Sequence, residues 1–151
     1  METLTTVAAV NPAAPYLGGK RNLARRLVDR IGAIPHTTYV EPIVGMGGVF
    51  LRRTARPRAE VINDLSGDVA TLFRALQEHY AYFIDMLRWR LTSRAEFDRL
   101  RAFPSDRLTD LQRAARFLYD QWSGVGRRDR VVHCLRADSF LACDLGCRIR
   151  V

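Results

Sequence analysis

Apolar positions fall into two regimes along the chain. Up to about residue 79, short apolar runs alternate with helical stripes. Leu23, Leu27 and Ile31 stand at i, i+4, i+8, with Val28 beside them and Arg21, Arg25, Arg26 and Arg30 on the other faces. That spacing predicts a helix from about Arg21 to Ile31, with its leucine stripe on a sheet and its arginines in solvent. Gly32 and Pro35 end it. Tyr39-Val40-Glu41 suits a short strand, which Pro42 stops because proline cannot donate to a ladder. Gly45, Gly47 and Gly48 then make a turn, and the apolar Val49, Phe50 and Leu51 predict a helix over about 48–53. Residues 59–64 read as a second strand. Asp64 or Ser66 is placed to cap a helix from about Asp68 to Gln77, striped by Val69, Leu72, Phe73 and Leu76. The order β-α-β-α argues for an α/β layer with parallel strands.

The second regime, from residue 80 to about 122, is helical throughout. Phe83, Met86, Leu87 and Leu91 mark one helix. Ser93 and Glu96 form a capping-box pattern before Phe97 and Leu100, Pro104 breaks the run, and Thr109 and Gln112 open a third helix carrying Leu111, Ala115 and Leu118. Arg113 and Arg116 lie off that stripe. Residues 1–15 read as a loose lead-in, and the tail from Ser123 to Val151 is irregular. The expected organisation is 1–79, 80–122 and a divergent 123–151.

Charge adds a partner class. The net charge is +8 with a pI near 10.2, which favours a polyanion such as nucleic acid. All but one of the 24 basic residues are arginine, a bias that a GC-rich gene would also give; the exception is Lys20. No run of about 18 apolar residues occurs, so no membrane span is expected. The start of the chain does not resemble a secretory signal, and three cysteines, an odd number, suggest reduced thiols in a cytoplasm. His133, Cys134, Cys143 and Cys147 have the ligand types for zinc but not finger spacing, which favours plain thiols or out-of-frame coding.

A strand, a glycine turn and a helix start let backbone N–H groups approach a ligand closely. No Gly-Lys-Ser/Thr follows, so the turn is not a Walker loop, and Phe50 occupies the last glycine position of a dinucleotide fingerprint. Asp64, about 20 residues on at the end of the next strand, is placed to accept hydrogen bonds from ribose hydroxyls. Glycine turn and acid together imply a nucleoside-containing cofactor. An NAD-linked enzyme is one alternative; a plain turn with Asp64 as a helix cap is another.

Pro15-Tyr16-Leu17-Gly18-Gly19-Lys20, then Tyr39-Val40-Glu41-Pro42 with Gly45 and Gly47, then Asn63-Asp64 resemble, in order and spacing, the Dam-type DNA adenine N6-methyltransferases. The resemblance runs from about Pro15 to Gln121. It implies a partial Rossmann-like sheet that binds S-adenosylmethionine, with an all-helical target-recognition insert. It implies that Tyr16, Lys20, Glu41, Pro42, Gly45, Gly47 and Asp64 contact the cofactor, with Asp64 on its ribose. Residues 114–119 resemble the helix before the DNA-contacting hairpin, so Arg113 and Arg116 stand open between phosphate contact and a solvated face. Double-stranded DNA is the implied partner.

In that family the adenine is flipped out of the duplex, and an Asp-Pro-Pro-Tyr loop accepts both N6 hydrogens so that the nitrogen lone pair faces the sulfonium methyl. This sequence contains no Pro-Pro pair, and its last proline is Pro104. The expectation is an N-terminal portion of such an enzyme, truncated or frameshifted between Asp120 and Arg128, with no catalytic residue of its own. It would be inactive alone, or act as a cofactor- or DNA-binding module beside a complementing C-terminal chain.

Overall fold

The structure, a computed structural model, describes residues 4–90 and 93–123. It is a mixed α/β chain in two compact units, divided between Leu65 and Ser66.

The first unit holds β1 (Thr5–Thr6), a 3-10 turn (Lys20–Asn22), α1 (Ala24–Gly32), β2 (Thr38–Glu41), a second 3-10 turn (Phe50–Arg52), β3 (Ala55–Arg56) and β4 (Ala59–Ile62). β2 and β4 pair in parallel, Val40 opposite Val61 and Glu41 opposite Ile62, as the alternation of elements predicts. Tyr39, Glu41 and Glu60 are buried on one face, while Val40 (59 % exposed) and Val61 (49 %) lie on the other. Val44, Met46, Val49, Phe50 and Leu51 are all buried, so the glycine turn is part of this unit's core.

Three expectations change here. The helix expected over 48–53 is a single 3-10 turn. The N–H of Val10 takes the Leu51 carbonyl and that of Val7 takes the Thr54 carbonyl, at 2.8 and 2.9 Å, leaving neither for a continuing helix. The lead-in is therefore not loose, and Thr5–Thr6 pairs antiparallel with Ala55–Arg56. Leu23 does not join a buried stripe. It is 54 % exposed at the residue before α1, and the helix buries Ala24 instead, with Leu27, Val28 and Ile31 half-buried.

The second unit contains α2 (Gly67–Glu78), α3 (Tyr80–Arg88), α4 (Arg94–Ala102), a 3-10 turn (Ser105–Arg107) and α5 (Asp110–Ser123). The Val69, Leu72, Phe73 and Leu76 stripe is buried, and α2 packs chiefly on α5. Ala114 and Ala115, both fully buried, keep α5's contact face low, which allows close approach of a neighbouring helix. One capping box forms in full, Thr109 and Gln112 exchanging side-chain-to-backbone bonds at 3.0 and 3.3 Å. At the other, among the described residues, only the cap bond forms, the Glu96 N–H donating to Ser93 Oγ at 3.1 Å while the Glu96 carboxylate holds Arg99. Ser66 occupies the N-cap of α2, but its hydroxyl makes no capping bond, and the Asp64 carboxylate is turned to another task. The four candidate zinc ligands lie outside the described residues, and no metal-binding cluster occurs among the described ones.

Candidate functional site

Tyr16, Lys20, Glu41, Gly45 and Asp64 gather where β2 and β4 end, with Pro42 and Gly47 in the connecting turn, and the turn's backbone explains how. Gly45 and Gly47 adopt φ of +53° and +73°, a region that costs a side-chain-bearing residue about 1–2 kcal/mol. A Cβ on Gly45 would also sit 3.1 Å from Cδ1 of Tyr16. Glycine at this position therefore serves two ends: it lets the chain reverse after Pro42, and it leaves room for the Tyr16 ring. Gly18, at φ +75°, performs the same reversal between Tyr16 and Lys20.

The polar groups interlock. The Gly45 N–H donates to Asp64 Oδ2 at 2.8 Å, while the Val44 N–H donates to the Asn63 carbonyl at 2.9 Å. The end of β4 thus fixes the turn that follows β2. Lys20 donates to the Ile43 carbonyl, and its ammonium stands 3.1 Å from Glu41 Oε1. That approach is off the direction of a good hydrogen bond, so Oε1, though buried, receives charge rather than a directed donor. Glu41 Oε2 accepts from the Tyr39 hydroxyl at 2.7 Å. Glu41 is held from both sides, with Lys20 at the solvent end and Tyr39 inside. Pro42 is exposed beside it.

Beneath Tyr39 lies a group that the residue pattern does not reveal. Arg53 is 3 % exposed, stacks its guanidinium 3.6 Å above the Tyr39 ring and pairs with buried Glu60. Arg56 reaches the other Glu60 oxygen at 3.3 Å. Burial, followed by the bond to Glu41 and that carboxylate's charge, pushes the Tyr39 phenol well above its ordinary range. The one sequence signal was Glu60 itself, an acid at an alternation position shared with Ile62.

A family model described as D12 class N6 adenine-specific DNA methyltransferase matches residues 16–124. The chain belongs to this family. No curated protein matches the chain. The matched span begins at Tyr16 and includes every site residue named above. DNA adenine methylation is therefore the activity class, and the enzyme class is transferase.

Within the second unit the two arginines considered for DNA contact are engaged internally. Arg113 Nη2 meets Asp68 Oδ1 at 2.8 Å. Arg116 donates to the Phe103 carbonyl and to Ser105 Oγ, both at 2.9 Å. Each ties α5 to another segment of the second unit. Among the described residues no helix is long and apolar enough to cross a membrane.

Proposed function

We propose that the site at the ends of β2 and β4 binds S-adenosylmethionine, and that the chain is the cofactor-binding portion of an enzyme that methylates adenine N6 in duplex DNA. The observation that carries this reading is the joining of Gly45 to Asp64 beside the Lys20–Glu41 pair. Ligands of α/β sheets bind outside the carboxyl ends of the strands, where these groups lie.

The donor set suits the cofactor. Two carboxylates match an ammonium group and ribose hydroxyls, and Tyr16 offers a ring to a flat or cationic group. Glu41 Oε1, buried and without a directed donor, has capacity for one. When bound, S-adenosylmethionine supplies an electrophilic methyl group on sulfonium. The chain's residues bind and orient. Asp64 anchors the turn and presents its carboxylate, Lys20 and Tyr39 fix Glu41, and Gly45 and Gly47 let the backbone come close. We read the β2–β4 pair as part of a Rossmann-like methyltransferase sheet and the helices after residue 79 as the target-recognition insert.

The 151 residues contain no Asp-Pro-Pro-Tyr loop. Turnover by these 151 residues is therefore expected only when such a loop is supplied to them, on the same polypeptide or by a second chain, with these residues contributing cofactor and duplex binding. Calorimetry with S-adenosylmethionine and with NAD is the test. Saturable binding of the first alone, weakened at least tenfold in Glu41→Gln, supports the reading; preference for NAD overturns it. Methyl transfer into duplex DNA by the purified 151 residues alone would overturn the requirement for an added loop.

A further inference from the structure

A cleft of about 490 Å³ opens in the first unit among the lead-in, α1 and the 3-10 turn at Phe50–Arg52. None of the proposed cofactor residues lines it. Its walls include Arg21, Arg25 and Arg52, together with Asn11, Val28 and Asp29. The three arginines come from three segments: the turn after Lys20, α1, and the turn that follows the glycines.

Such a gathering is unfavourable without a counter-charge. Asp29 is the one acid on the wall, against three guanidiniums. No ion pair of Arg21 or Arg25 occurs among the described residues. Arg52 spends one donor on the Gly48 carbonyl at 2.9 Å. Its burial, and then the Arg21 charge, lower the pKa of its guanidinium, as expected where cations share a partly desolvated space. Guanidinium forks match the oxygens of a phosphate, and Asn11 adds a neutral amide donor.

We infer that this cleft is a phosphate-binding site, formed by Arg21, Arg25 and Arg52, that accepts a tetrahedral phosphate group. The phosphate is either one in a nucleic-acid backbone or a free one, and the chemistry of capture is the same. The inference rests on the cleft alone and not on the cofactor reading.

The test uses the full chain, a short fluorescent duplex titrated at several salt concentrations, and calorimetry with inorganic pyrophosphate. Replacing Arg21 and Arg25 together by alanine should weaken binding about tenfold or more. For the duplex it should also reduce the salt slope by about one per lost phosphate contact. Asp29→Asn removes the one opposing charge and should tighten binding, a gain that repair of a structural defect would not give. S-adenosylmethionine affinity, measured in parallel, should not change with either variant, so failure of the cofactor reading stays separate. Loss of both duplex and pyrophosphate binding in the double variant identifies a site open to backbone phosphate. Loss of pyrophosphate binding alone identifies a free-phosphate site. The proposal is overturned if the double variant binds both probes like the wild type with an unchanged slope, or if Asp29→Asn weakens both.

Discussion

The backbone N–H of Gly45 donates to Oδ2 of Asp64 across 2.8 Å, so the turn after one strand is fixed by the acid at the end of its neighbour. Asp64 thus has a structural task alongside the proposed ligand task, and two substitutions separate them. Asp64→Ala leaves an amide donor without its charged acceptor and should cost about 1–3 kcal/mol in urea denaturation. Asp64→Asn keeps an acceptor oxygen and should cost less than half as much. Both should weaken S-adenosylmethionine in calorimetry. Wild-type cofactor affinity in Asp64→Asn would confine the residue to the structural task.

Gly45→Ala combines two penalties, a positive φ and a Cβ 3.1 Å from the Tyr16 ring. The expected loss is roughly 1–3 kcal/mol. Adding Tyr16→Ala removes the contact but not the backbone strain, so a double-mutant cycle should return a coupling of about 0.5 kcal/mol or more. Strict additivity would show that the ring and the turn do not meet.

Tyr39 sets the response to base. Its phenol is raised by burial and by Glu41, so the folded state holds that proton more tightly than the unfolded chain does. The resulting stability is complete below the unfolded value of about 10 and declines as pH climbs beyond it. Denaturation midpoints of the wild type should fall above about pH 10, and those of Tyr39→Phe should fall less steeply. At pH 7 the same variant leaves Glu41 Oε2 short of a donor and should cost about 1–2 kcal/mol. Parallel alkaline profiles for the two proteins would argue against the assignment.

Asp120 titrates with the same sign at the acid end of the range. Burial raises its pKa, Arg116 and Arg101 only partly oppose that, and Oδ1 finds no hydrogen-bond partner among the described residues. A carboxyl raised in the folded state lowers stability above its pKa, and the deficit closes as pH falls to about 3.9, the unfolded value. Asp120→Asn should therefore stabilise at pH 7 by about 1 kcal/mol, with the advantage shrinking on acidification. An equal gain at pH 3 and pH 7 would point to a cause other than ionisation.

The residue pattern carried the parts of the fold that local spacing determines. Val69, Leu72, Phe73 and Leu76 share a face by helical geometry alone, and the Ser93 and Thr109 side chains cap the N–H groups of residues three positions away. It failed where distant segments compete for the same backbone. Nothing near Leu51 indicates that Val10 will take its carbonyl, so a helix was expected where only one turn forms. The site divides in the same way. Lys20, Glu41, Gly45 and Asp64 were legible through motif order and resemblance. Arg53 was not, because its partners Tyr39 and Glu60 lie in two different strands and its spacing matches no pattern. The pattern left Arg113 and Arg116 open between phosphate contact and a solvated face, and their acceptors, Asp68, Phe103 and Ser105, are found only in three dimensions.

Among the described residues β2 and β4 form a sheet only with each other, and Val40 and Val61 stand side by side on the open face of the ribbon. Outward-facing strand edges template pairing with other chains, and apolar side chains beside them strengthen that tendency. Heat unfolding of this protein should therefore be second-order in character. Its apparent melting temperature should drift with protein concentration and scan rate, and added Lys or Glu at positions 40 and 61 should make it independent of both.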